Sequence, residues 1–134
     1  MTRNVDNLGI GALYGSFNVE LSEGEPTLTT SDVGKAVVLS DDNTIGIGSD
    51  GDRLLGRLEA IEDELATVQV AGVVRLSLAE GKTAPDVGDG VVVDGAGAAY
   101  QAPALGGNDP AGGNVARGVT LAVDATAGTA DILL

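Results

Sequence analysis

The stretch "DRLLGRLEAIEDEL", residues 52–65, decides the fold class of this chain. Leu54, Leu58, Ile61 and Leu65 recur at helical spacing, so in isolation the segment reads as an amphipathic helix. Further along, "VARGVTLAVDATAG", residues 115–128, has the same outline, with a glycine ahead of the apolar run and an acidic turn behind it. There Gly, Val and Thr stand where a helix would want Leu, Glu and Lys. Two segments built alike share one element type, and strand suits both. The reading is a strand over Leu54–Ile61.

The likeness extends upstream. "SDVGKAVVLSDDNTIG", residues 31–46, and "PDVGDGVVVDGAGAAY", residues 85–100, share Asp-Val-Gly, then Val-Val, then an acidic turn and a second strand. "GRLEAIEDELATVQV" from Gly56 aligns with "GVTLAVDATAGTADIL" from Gly118, with one extra residue in the second turn. The chain therefore reads as an internal duplication with halves at about 32–78 and 86–134. Strands are predicted near 36–40, 44–47, 54–61, 66–78, 90–94, 98–101, 115–123 and 129–134, the long fourth one bent or bulged at Gly72. Residues 101–114, with two prolines and four glycines, read as a surface loop. The fold class is all-β, a small β-barrel or β-sandwich-like domain of two similar strand-turn-strand halves over residues 32–134. Residues 1–31 show no sustained period and read as a partly extended N-terminal arm, with one possible strand at Phe17–Leu21.

Composition narrows the chemistry. The 134 residues hold three aromatics, Tyr14, Phe17 and Tyr100, so the core must be aliphatic. Such a core is thin and gains from oligomerisation or docking. Seven basic residues against 20 acidic ones give a net charge of −13, and the cations are scattered among carboxylates. That pattern argues against nucleic acid, which needs a basic face. It suits solubility by self-repulsion, and scarce lysine with plentiful Asp and Glu also suits life in high salt. The chain has no cysteine and no histidine, which removes disulfides, thiolate chemistry, Ser-His-Asp triads and the commonest metal ligand. No apolar run approaches a membrane span, and the N-terminus does not read as a signal peptide.

Three local patterns resemble functional motifs. Gly34-Lys35 lacks the first glycine of a phosphate loop, is followed by Ala36, and has Asp89 in place of the lysine in its partner copy. It reads as a turn. "DDNTIGIGSDGD", residues 41–52, puts Asp41, Asn43 and Gly46 where a calcium loop wants them, but Ile45 fills a ligand position and Asp52 replaces the closing Glu. It too reads as turns. Glu59, Glu62, Asp63 and Glu64 are dense enough for acid-base work, yet three aromatics cannot line a sugar cleft. No catalytic residue, metal site, cofactor or small-molecule substrate is expected, and the protein is not read as an enzyme. The arm is different. Leu8, Ile10, Leu13, Tyr14 and Phe17 lie in a segment too glycine-rich for its own core. They either pack as a strand onto the barrel or anchor into another protein. In the second case, deleting residues 1–20 leaves the barrel folded.

"LLGRLEAIEDELATVQVAGVVRLSL", "DVGDGVVVDGAGAAYQA" and "GVTLAVDATAGTADILL" resemble the small β-barrel head-decoration, or cement, proteins of tailed bacteriophages and related archaeal viruses. The resemblance covers about 32–134 and lies in the order of elements and their turn chemistry. It implies a structural protein on the outer surface of the virion, bound to the major capsid protein and bridging its subunits, commonly as a homotrimer. The alternative is a non-enzymatic β-barrel binding module for carbohydrate or calcium on a surface or secreted assembly.

Overall fold

The computed structural model describes residues 5–104, 106–107 and 115–134. Most of the loop read at 101–114, and residues 1–4 of the arm, lie outside the described residues. Twelve strands follow in order: β1 Leu13–Val19, β2 Leu21–Ser22, β3 Glu25–Pro26, β4 Ala36–Asp41, β5 Thr44–Gly46, β6 Gly56–Glu62, β7 Leu65–Ala71, β8 Val73–Ser77, β9 Val91–Val93, β10 Ala99–Gln101, β11 Val119–Asp124 and β12 Thr129–Leu133. A 3₁₀ turn, Thr30–Asp32, precedes β4. The segment of ambiguous period is strand from Gly56 to Glu62, as the repeat requires, while Leu54 and Leu55, read as part of it, precede it.

The first five principal strands close into a mixed barrel in the order β1–β5–β4–β6–β7. All contacts in it are antiparallel except β1 with β5. The second half forms a looser ring in the same order. Strand β10 pairs β9, and β11 pairs β12, which pairs β8. Single bridges close the remaining gaps, Val91 with Arg117 antiparallel and Leu78 with Ala99 parallel.

Hydrogen bonds match position by position. Gly34 N–H donates to Leu58 C=O at 2.7 Å, and Gly88 N–H to Thr120 C=O at 2.8 Å. Glu20 N–H donates to Ile45 C=O at 2.8 Å, and Ala79 N–H to Ala99 C=O at 2.9 Å. The bulge between Leu58 and Ala60 recurs between Thr120 and Ala122. The two halves thus share one barrel-like strand order, closed by strand pairing in the first and by single bridges in the second.

Its bounds differ from those read in the sequence. Strand β1 is the counterpart of β8, so the repeating unit starts one strand earlier, and residues 13–19 are barrel wall rather than arm. The long strand expected at 66–78 is two strands in different barrels. Gly72, at φ +87°, turns the chain between them. A Cβ there would lie 2.5 Å from Ile10 O and 2.7 Å from Ala12 N, so only glycine fits. Gln69 is buried beside this corner and donates Nε2 to Ala71 C=O at 3.1 Å and Val73 C=O at 3.2 Å. The β11–β12 turn, residues 125–128, has two residues more than the Asp63–Glu64 turn, where one was expected.

Each barrel has its own aliphatic core. Val19, Leu28, Val37, Ile45, Leu58, Ala66 and Val68 fill the first. Val74, Leu76, Val91, Val93, Ala99, Ala130 and Ile132 fill the second, joined by Ala36, Val38 and Leu54 from the first half. Strand β4 thus serves both cores, Val37 facing one and Ala36 and Val38 the other. Each such buried aliphatic side chain contributes roughly 1.5–3 kcal/mol.

Candidate functional site

The five arm residues do not act as one group. Phe17 packs against the first core, its ring folded over Gly15. Leu13 and Tyr14 are also on β1 but stay 60% and 55% exposed. Neighbours on a strand normally face opposite sides, and the register shift between these two puts both at the surface. Leu8 and Ile10 belong to the turn before β1. That turn is tied to the second barrel by Gly9 N–H to Val73 C=O and Val73 N–H to Ile10 C=O, both at 3.1 Å. Ile10 is 59% exposed. The apolar surface therefore sits on anchored backbone.

The other motif residues have local duties. Lys35 Nζ donates to Asp32 at 2.7 Å, and Arg57 to Glu59 at 2.7 Å. Asp41 accepts from Asp42 N–H, and Asp52 from Ser49 N–H, both at 2.8 Å. Among the described residues no group of three His, Cys, Asp or Glu side chains is gathered in a way that could hold a metal ion.

One polar cluster spans the halves. Tyr100 Oη donates to Asp50 Oδ1 at 2.8 Å, Lys82 Nζ to Asp50 Oδ2 at 3.1 Å, and the ammonium lies 5.1 Å from the Tyr100 ring centre. The Tyr100 hydroxyl, then Lys82, lowers the Asp50 pKa, and Asp50 in turn raises those of Tyr100 and Lys82. Raised values keep the phenol and ammonium protonated, the reverse of what a nucleophile or base needs. The cluster pins Asp50 to β10.

Arg117, which the sequence did not single out, is the second such pin. Its guanidinium is half-buried and donates to the main-chain carbonyls of Leu54 at 3.2 Å, Leu55, and Val70 at 2.6 Å. Burial, with Arg53 nearby, lowers its pKa. The repeat held a signal for it: Arg117 stands where the first copy has Leu55.

No family model and no curated protein matches the chain.

Proposed function

We propose that this chain is a structural virion protein that binds the outer surface of the mature capsid of a tailed virus and cements neighbouring major capsid subunits, three copies acting together. The reading starts from the resemblance carried by residues 32–134. The observation that supports it most is the position of Ile10, Leu13 and Tyr14, exposed apolar side chains held on strand and hydrogen-bonded turn. Anchors ordered before binding cost less entropy than a free arm that must be fixed on arrival. One copy buries a modest area, but contacts to several subunits make attachment multivalent. The net charge of −13 leaves an acidic surface that keeps particles apart.

Sedimentation tests this. The protein is expected to travel with virus-sized particles from its source and to come off only when the capsid is disrupted. Protein found only in the soluble fraction would sink the reading.

A further inference from the structure

The two barrels differ in what lies against their matching strands β4 and β9. In the second barrel the end of β9 is covered: Val93 N–H donates to Asp52 C=O at 3.1 Å, and Gly51 N–H donates to Val93 C=O at 2.8 Å. The turn at residues 51 and 52 thus caps the edge of β9 with two main-chain bonds, Leu54 enters the core, and Val93 is fully buried. The matching position in the first barrel is Leu39, and it is 54% exposed.

Its backbone is open on the same flank. Ile45, opposite Leu39 on β5, gives its carbonyl to Glu20 N–H, so Leu39 and Ile45 form a non-hydrogen-bonded pair. The polar groups of Leu39 therefore point the other way, as does Val37 C=O, which accepts from Leu55 N–H at 2.9 Å. On that flank β6 pairs only Ala36 and Val37. Beside the gap lies a groove of about 610 Å³ lined by Val38, Leu39, Leu54, Leu55, Asp52 and Arg53, with Arg117 at its end.

Arg53 supplies a second observation. Lys35, Arg57, Arg75 and Lys82 each have a carboxylate within 3.1 Å, whereas Arg53 makes no ion pair among the described residues. It also lies close enough to Arg117 to lower that group's pKa. An exposed cation without an acid, in a chain of net charge −13, marks a place where a carboxylate would be welcome.

We infer that the open flank of β4 at Leu39 receives an extended segment of the partner protein, whose main chain bonds the edge groups of Leu39 as the turn at residues 51 and 52 bonds those of Val93, with an apolar side chain on Leu39 and Leu55 and a carboxylate on Arg53. Main-chain pairing supplies affinity and the side-chain seats supply selectivity. The inference rests on the reading above that the chain works by attachment to a capsid.

The test uses the full chain and particles stripped of it. Leu39→Asp and Arg53→Glu change exposed side chains, and both variants are expected to melt like wild type. Leu39→Asp is expected to weaken pelleting with particles at least about tenfold, and Arg53→Glu several-fold, with the Arg53 effect shrinking in high salt. Leu65→Asp, at a position 59% exposed at the start of β7, is expected to bind like wild type. If both Leu39→Asp and Arg53→Glu bind as wild type does, the inference is overturned and the function reading stands. If wild type itself fails to pellet, both fall together.

Discussion

The first barrel is complete in itself, while the second borrows from the first. The two share strand order, bulge and turn bonds, yet equivalent positions hold different residues: Leu58 against Thr120, Lys35 against Asp89, Leu55 against Arg117, Leu39 against Val93. Thr120 is fully buried, and its hydroxyl is satisfied by donating to Asp89 C=O at 2.8 Å. Ala36, Val38 and Leu54 complete the second core, and the turn at residues 51–52 caps the edge of β9. Backbone hydrogen bonds and the few positions where only glycine fits define this topology, and side chains have drifted around them. The expected consequence is asymmetry: damage to the first barrel should unfold both, and damage to the second should leave a folded remnant.

The harshest way to break the comparison is to delete residues 1–20. The sequence alone leaves them either a strand packed onto the barrel or a removable arm. With β1 bridging β5 and β7 and Val19 in the core, the deletion is expected to abolish the cooperative thermal transition followed by circular dichroism. A shorter deletion of residues 1–8 stops before β1 and should leave that transition in place.

Next comes Gly56, which aligns with Gly118. A Cβ on Gly56 would sit 2.0 Å from Gln69 O, a main-chain atom fixed in the β6–β7 ladder. Gly56→Ala is expected to cost more than about 3 kcal/mol in urea unfolding, the severe end of overpacking. At Gly118 the obstacles stand farther off, the Ile132 Cγ2 methyl at 2.7 Å and Leu133 O at 3.1 Å, although φ is +81°. Gly118→Ala should cost less, roughly 1–2 kcal/mol from backbone strain. Equal costs would show that the two copies are equally rigid.

Arg117→Leu restores the first copy's residue at that position. It removes donors to three carbonyls that join the halves, with an expected loss of about 2–3 kcal/mol. Because those bonds run between barrels, the melt should also broaden or split. A sharp single transition at the wild-type temperature would mean that the hydrophobic contact through Ala36, Val38 and Leu54 alone couples them.

These contrasts also explain what could be read in advance. The strand read over Leu54–Ile61, which runs Gly56–Glu62 in the structure, was legible because a second copy with poor helix formers removed the helical alternative. Strand β1 was legible only in its second half, within the possible strand at Phe17–Leu21, since "LYGSFNV" puts two large apolar residues side by side at a bulge and spends an inward position on Gly15. The corner at Gly72 looks like any strand glycine until the segment at 10–12 is seen pressed against it. Leu39 follows Val37 and Val38 in an apolar run, and nothing in the run marks it as the exposed one. It is exposed because no turn among the described residues caps β4 there as residues 51 and 52 cap β9. Leu8, Ile10, Leu13, Tyr14 and Phe17 were legible as apolar, but their separation into core ring, wall and anchored turn depends on pairing with distant strands.

The smallest contrast lies in the two Asp-Val-Gly turns. In the first, Asp32 accepts Thr29 N–H at 2.8 Å and Lys35 Nζ at 2.7 Å. In the second, the carboxylate has moved to Asp89, which accepts Asp86 N–H at 2.9 Å and Gln101 Nε2 at 2.8 Å. Both pKa values are lowered, that of Asp32 mainly by Lys35 and then Thr29, that of Asp89 by Gln101 and then Asp86. A carboxylate whose pKa is lower folded than unfolded adds stability above the ordinary value of 3.8, and loses it as pH falls through the folded pKa. Melting temperature should therefore hold from pH 7 to about 5 and drop below about 4. The half-buried Lys35–Asp32 pair is worth about 1 kcal/mol, and salt should screen it in part. The Gln101–Asp89 bond has a neutral donor and should respond less. Comparing Asp32→Asn with Asp89→Asn at low and molar salt separates the two turns: the Asp32 variant's deficit should shrink in salt more than that of Asp89. If both shrink alike, salt acts on the whole acidic surface rather than on the turn. Wild-type stability would then also rise steeply with salt, as a chain suited to saline surroundings requires.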